Sequence, residues 1–335
     1  MNSVHVIPDI SIVAPVFNEE GNIAALIDRL AAVMDASGLQ YEVVLVDDGS
    51  SDGTWAAIEE ARALSPNLKG FRLSRNFGHQ HALLAGLASA RGRAVVSMDG
   101  DLQHPPEIIP ELIAAWQNGF HVVSTKRCDE EVTGFFKRKS SQLFYQFFYW
   151  LADISLGTGT SDFRLLDRKV VEELLRLKDT DLFIRGAVEW LGFRSTVIEF
   201  NMDERLSGTS KYSLRRMMRF ASGAIVSFSA KPLKIGIWLG FFTSLIAFAE
   251  IGYVFWAYAN GYTVPGWASI LGVVSLLFGI MFIILGILGT YIARMHMALQ
   301  NRPHFIISEV IDSAGGKVRN LDEKNVADRS HAGKQ

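Results

Sequence analysis

The chain has 335 residues, 49% of them hydrophobic and 20% charged, with a mean hydropathy of +0.19 and a formal net charge of −2. A near-neutral chain has no global field to draw it to nucleic acid. Its single cysteine, Cys128, fits a reducing compartment and excludes an internal disulfide or a cysteine-based metal site.

The N-terminal stretch "MNSVHVIPDISIVAPVFNEE" lacks a basic segment followed by a long apolar core, so no signal peptide is expected. "ISIVAPV" (10–16) reads as a strand. "NIAALIDRLAAVM" places Ile23, Leu26, Ile27, Leu30, Val33 and Met34 on one helical face. A second buried strand follows at 42–48, then a helix at 55–64, a strand at 70–74, a helix at 81–91 and a strand at 94–98. A helix at 106–118 and the strand "HVVSTKR" complete the series. This alternation predicts an α/β fold with a mostly parallel sheet flanked by helices. Ligands in such sheets bind beyond the carboxyl ends of the strands. Polar clusters stand at those ends: "PVFNEE", "VDDGSSDGT", "SRNFGHQ" and "MDGDLQHPPE".

The catalytic domain is expected over 1–212. Within it, 133–156 mixes basic residues with Phe135, Phe136, Phe144, Phe147, Phe148 and Trp150, as an interfacial helix does. Residues 213–234 read as a juxtamembrane amphipathic helix. Two apolar runs, 235–258 and 268–293, exceed the roughly 20 residues needed to cross a bilayer. Their linker has no Lys or Arg, while Arg215, Arg216, Arg219, Lys231 and Lys234 precede them and Arg294 and Arg302 follow. That asymmetry predicts a multi-pass protein with both termini in the cytoplasm. Gly272, Gly279 and Gly286 recur every seven residues, and Gly236 and Gly240 stand four apart, spacing that allows close helix approach or an oligomer contact. Glu250 is the one acid inside a span, either near the far headgroups or in a polar contact. The polar segment 294–335 reads as a largely disordered cytoplasmic tail.

The chemistry lies in the polar clusters. No G-x-G-x-x-G follows a strand and no phosphate-loop motif is present, which weighs against a dinucleotide dehydrogenase and a P-loop enzyme. Acids line the strand ends instead: Glu19, Asp47, Asp48, Asp99 and Asp101. Carboxylates accept hydrogen bonds from ribose hydroxyls and base N–H groups, and they hold Mg²⁺ or Mn²⁺ against phosphate oxygens. In "VVSMDGDLQHPPE" (95–107), Asp99 is assigned to the donor, and Asp101 with Gln103 to the ion. In "DERLSGTSKYS", Arg205, Ser210 and Lys211 form a cationic loop suited to phosphates. "SDFRLLDR" supplies Arg164 for phosphate and Asp162 for orienting an acceptor.

In order, "PVFNEE", "VDDGSSDGT", "SRNFGHQHALLAGL", "MDGDLQHPPE", "DFRLLDR" and "RLSGTSKY" resemble the motifs of the polyisoprenyl-phosphate glycosyltransferases of glycosyltransferase family 2. The likeness is greatest to the bactoprenol glucosyltransferases with two C-terminal membrane helices, and dolichol-phosphate mannose synthases are more distant. It spans residues 10–293. It implies a GT-A fold, a nucleotide-sugar donor, a divalent metal (Mg²⁺ or Mn²⁺), a polyprenyl-phosphate acceptor and often a tetramer. By position, Pro15, Glu19 and Asp48 contact the nucleotide, Asp99, Asp101 and Gln103 serve donor and metal, and Arg205 and Lys211 hold phosphates. Asp162 stands where the family's proposed base stands. A lipid monophosphate, with a second pKa near about 6, hardly needs a base, so Asp162 is expected chiefly to position a substrate. His104 stands where many relatives of the family have an acid, so an Asp at 104 is expected to alter metal preference.

The expected reaction is the inverting transfer of one hexose, glucose from UDP-glucose, to undecaprenyl phosphate at the cytoplasmic face of a bacterial inner membrane. The sequence does not separate glucose from other hexoses. A processive polysaccharide synthase would need more spans and a Q-x-x-R-W signature. A silent nucleotide-sugar-binding scaffold would not need Asp99, Asp101 and Lys211.

Overall fold

The computed structural model of the chain describes residues 7–127, 160–177, 183–200, 231–262, 266–300, 302–312 and 321–322. Its first half follows the predicted alternation. Strands β1 (Ile10–Val16), β2 (Tyr41–Asp47), β3 (Leu68–Leu73) and β4 (Ala94–Ser97) are linked by helices α1 (Ile23–Ser37), α2 (Thr54–Leu64) and α3 (His79–Ser89). A 3₁₀ turn (Pro106–Ile108) leads into α4 (Ile109–Gln117) and β5 (Val122–Arg127). Then come β6 (Thr160–Asp167), α5 (Arg168–Arg176), α6 (Ile184–Trp190) and β7 (Ser195–Phe200). Two long helices follow, α7 (Lys231–Ala259) and α8 (Trp267–Gln300), and after them β8 (Ile306–Ile311) and β9 (Leu321–Asp322).

The sheet runs β7-β5-β6-β4-β1-β2-β3-β8-β9. β4, β1, β2 and β3 are parallel neighbours, whereas β6 is antiparallel to β4 and β5, and β8 is antiparallel to β3. The sheet is therefore mixed, not mostly parallel. The reversal matters chemically. It brings the amino end of β6, with Asp162, to the same edge as the carboxyl ends of β1 to β4. Helices cover both faces: α1, α2 and α4 pack on one side with Ile12, Leu45 and Phe163, and α3, α5 and α6 on the other with Val13, Val46 and Leu166. At the opposite edge the buried Glu42 accepts from Ser11 Oγ (2.6 Å) and Lys69 Nζ (2.6 Å), so its charge is paired. This mixed sheet between helical layers is the GT-A arrangement.

The segment after α8 differs from its expected disorder. Phe305 and Ile307 are fully buried in the core, and β8 continues the sheet beyond β3. Burial of these apolar side chains and a backbone ladder order a stretch whose composition alone reads as tail.

The two long helices extend the expected spans by several residues at their outer ends. Their apolar side chains face outward: Phe248 is 72% exposed and Phe282 65%. A buried helix of a soluble core would hide these groups, so both helices are candidate membrane spans. A Cβ added at Gly240 would lie 3.7 Å from Ile284 of the neighbouring helix, but one added at Gly236, Gly272, Gly279 or Gly286 would meet nothing within 4 Å. The expected segment at 133–156, and all but the last four residues of that at 213–234, lie outside the described residues.

Candidate active site

The turns after β1 and β2 are laced together. Asn18 N–H donates to Ser50 Oγ (2.9 Å) and Glu19 N–H to Thr54 Oγ1 (2.9 Å). Asp47, fully buried, accepts from Ser50 N–H (2.8 Å), and Arg72 Nε lies 3.3 Å from its other oxygen without hydrogen-bond alignment. Asp48 accepts from Phe77 N–H (2.7 Å) and Gly78 N–H (2.9 Å), one on each oxygen. Burial pushes the Asp48 carboxyl up although these two bonds favour its anion. Both acids thus brace backbone, Asp47 its own turn and Asp48 the loop before α3. Gly49 sits between them at φ +69°, where a Cβ would lie 2.5 Å from the Arg75 backbone, so no other residue fits. Pro15 is buried near the carboxyl end of β1, and burial raises the Glu19 carboxyl.

Beyond β4 the chain makes a tight turn through Asp99, Gly100 and Asp101. A Cβ at Gly100 would come within 2.4 Å of Val16, so the glycine lets the turn press onto the end of β1. Asp101 accepts from Gln103 N–H (3.1 Å) through Oδ1. Asp99 is 36% exposed as a side chain, yet its Oδ1 is buried and accepts no hydrogen bond among the described residues. Burial pushes this carboxyl up, and the Asp162 and Asp101 carboxylates push the same way. Such an oxygen calls for a bound donor or cation.

His104 is not a metal ligand in this arrangement. Its Nδ1 lies 3.0 Å from Asp99 N, and only an unprotonated Nδ1 can accept there. The proton is then on Nε2, which faces Ser161 Oγ at 2.9 Å. The ring is 5% exposed and stacks on Phe163 (5.2 Å between centroids). The imidazole pins the turn to β6.

Asp162 stands on β6 across from this turn, 6% exposed. Arg185, from the first turn of α6, donates to both of its oxygens, Nε to Oδ1 and Nη2 to Oδ2, each at 2.7 Å. Arg164 Nη2 approaches Oδ1 at 3.5 Å and donates to Ser161 O at 2.8 Å. Burial raises the Asp162 carboxyl, but Arg185, then Arg164, outweigh it and hold it at about 2. Burial lowers Arg164 to about 10, and the guanidinium remains charged at neutral pH. His79, in the first turn of α3, lies 3.4 Å from Asp99 Oδ1 and 3.8 Å from Asp162 Oδ2.

Pro15, Glu19, Asp47, Asp48, Asp99, Asp101, Gln103, Asp162 and Arg164 therefore all fall at one sheet edge. Arg164, 4% exposed, is set beneath the surface as a partner of Asp162, where the sequence suggests a phosphate ligand. Arg205, Ser210 and Lys211 lie outside the described residues. Two residues of the site escape the sequence reading. His79 sits in the polar cluster "SRNFGHQ" but carries no spacing of its own, and Arg185 belongs to no motif. Among the described residues no group of three acidic, histidine or cysteine side chains is placed to hold a metal ion.

Comparison with known proteins agrees with this layout. The sequence model described as "Glycosyl transferase family 2" matches residues 11–175. The chain is 40% identical over 300 residues to glycosyltransferase YkcC of Bacillus subtilis (strain 168), covering 89% of this chain and 93% of that one. It is 36% identical over 304 residues to the SfII prophage-derived bactoprenol glucosyl transferase of Shigella flexneri, covering 90% and 97%. Among solved structures, mannosyltransferase PcManGT from Pyrobaculum calidifontis, in complex with GDP-Man and Mn²⁺, aligns at a TM-score of 0.44 and 17% identity over 89% of this chain and 88% of that one. With full-length relatives well above 30% identity and an acid-lined edge at the ends of β1, β4 and β6, this chain belongs to glycosyl transferase family 2 and is a glycosyltransferase.

Proposed function

We propose that the protein transfers a single hexose, glucose from UDP-glucose, to polyprenyl (undecaprenyl) phosphate at the cytoplasmic face of the membrane. The observation that carries the reading is the Asp99–Gly100–Asp101 turn. It presents a buried carboxylate oxygen that accepts no hydrogen bond among the described residues at the sheet edge, in a chain that also has two outward-facing apolar helices. The Shigella relative's named acceptor, bactoprenol, supports a lipid acceptor here.

The donor's hydroxyls are oriented by Asp99 and the nucleotide by Glu19 and the backbone near Pro15. A divalent ion fits this edge. Its donors are oxygens, the class that suits Mg²⁺ and Mn²⁺, and such ions take one or two protein ligands plus phosphate oxygens and water. Asp101, with Gln103, would hold it, and when bound it neutralises charge on the departing diphosphate. The lipid phosphate attacks the anomeric carbon opposite the leaving group, which inverts that centre. A phosphate largely dianionic at neutral pH needs no base, and an Asp162 held at about 2 is a poor one.

The test is incubation of the purified full chain with polyprenyl phosphate, Mn²⁺ and a panel of labelled nucleotide sugars. Label from UDP-glucose is expected in the organic phase. A different active donor would correct the sugar, and no lipid product with any donor would overturn the reading.

A further inference from the structure

We propose that Arg185 is a positioning residue for the transfer: by gripping both oxygens of Asp162 it holds that side chain as a fixed anion that orients substrate, and it withholds Asp162 from proton transfer. The proposal deepens the glycosyl-transfer reading and rests on it.

Among the described residues, four groups face Asp162. On its own strand Arg164 stands at 3.5 Å, already committed to Ser161 O. From α6 comes Arg185, with two parallel 2.7 Å bonds. From α3 comes His79 at 3.8 Å, and from the turn after β4 the Asp99 carboxylate adds its charge. Of these, only Arg185 makes a fork-to-fork contact, the geometry that fixes a carboxylate in both position and charge. α6 itself is tied to the site, because Ile184 N–H donates to Gln80 Oε1 (3.2 Å) in the first turn of α3. The first turns of α3 and α6, carrying His79 and Arg185, are thereby held together. A carboxylate has about four acceptor positions. Each Asp162 oxygen, bonded once by Arg185, keeps acceptor capacity for a substrate hydroxyl. What the grip removes is basicity. Sequence alone places an acid at 162 and leaves its role open; Arg185 is what decides it.

The experiment measures kcat and KM against pH for the full-length protein, with its active donor and polyprenyl phosphate. It compares wild type with Arg185→Gln, Arg185→Lys, Asp162→Asn and the Arg185→Gln/Asp162→Asn double variant. Arg185→Gln is expected to lose about 100-fold in kcat near neutral pH, with far less change in KM. It should regain activity as pH rises, because the released carboxyl, still buried but without its cation, then titrates above its ordinary value, by up to about 3–5 pH units. Arg185→Lys, which lacks the fork, should restore only part of the rate, and both variants carrying Asp162→Asn should stay low at every pH. Wild type should show no acid limb that Asp162→Asn removes. Such a limb, or an Arg185→Gln profile of unchanged shape, would overturn the proposal.

Thermal melting of the same proteins in detergent gives a readout that needs no turnover. A buried carboxyl stripped of its partner has a raised pKa, so its folded state loses stability as pH rises through that value. The melting gap between wild type and Arg185→Gln should therefore widen from about pH 4 to about pH 8, and the double variant should not widen it. Parallel melting curves would sink the grip even if the enzyme is active. Should wild type use no sugar nucleotide, the functional reading fails, while the melting series still decides whether Arg185 fixes the charge of Asp162.

Discussion

Both ring nitrogens of His104 are occupied, one by Asp99 N–H and one by Ser161 Oγ, inside a shell of Phe163 and Phe200. The sequence alone suggests that an Asp here would alter metal preference. The buried ring makes a different outcome expected: His104→Asp places an unpaired charge beside Asp99 and lowers activity through instability, with metal preference unchanged. His104→Ala should cost about 2–4 kcal/mol, from a cavity and an orphaned N–H. His104→Asn, whose side-chain oxygen can accept from Asp99 N–H, should recover part of that in urea titrations. Asp162 gives a second prediction at this scale. Its carboxyl lies near 3.8 ordinarily and at about 2 in the fold. The stability it contributes is present above about pH 4 and is lost as pH falls toward 2, a loss of about 2–3 kcal/mol. Acid titration of wild type against Asp162→Asn checks it: the two should converge at low pH.

At the scale of elements, β8 is a strand that the chain supplies from beyond its apolar helices. Phe305 is fully buried against the same face of the sheet as α3 and α5. Phe305→Ala should destabilise the catalytic domain by about 3–5 kcal/mol in a denaturant titration. A change below about 1 kcal/mol would mean the strand is dispensable. The contrast between β1 and β6 explains what the sequence could disclose. β1, β2 and β4 are apolar on both faces, so "ISIVAPV" and "VVSM" read directly as buried strands ending in acids. β6 alternates Asp162 and Arg164 with Phe163 and Leu165, a pattern that reads as half solvated. Its charged face is buried because Asp162, Arg164 and Arg185 satisfy one another, and Arg185 is 23 residues away from Asp162. Such partnership across the chain has no local signature. The direction of β6 is equally silent in sequence, and it is this direction that brings Asp162 to the site. β8 was hidden for a simpler reason: six residues in a polar tail show too few periods to stand out.

At the scale of the whole molecule, β8 shares one sheet with β1, β2 and β3, yet both apolar helices lie between them in the chain. Residues before and after the helices must therefore be on one side of any bilayer, which requires an even number of crossings. Either both helices span or neither does. With Cys128 replaced by Ser, single cysteines introduced at Ser74 and at Gly261 should be labelled by an impermeant thiol reagent from opposite sides of sealed vesicles. Labelling from the same side would rule out a spanning pair. The pairing of β3 with β8 also sets an order of assembly. During synthesis β3 leaves the ribosome more than two hundred residues before its outer neighbour, and an open strand edge is a template for wrong partners in the meantime. The sheet can be finished only after both apolar helices have emerged. β8 thus acts as a completion latch, so a nascent chain stalled before it would carry every acid of the site and still lack the outer partner of β3.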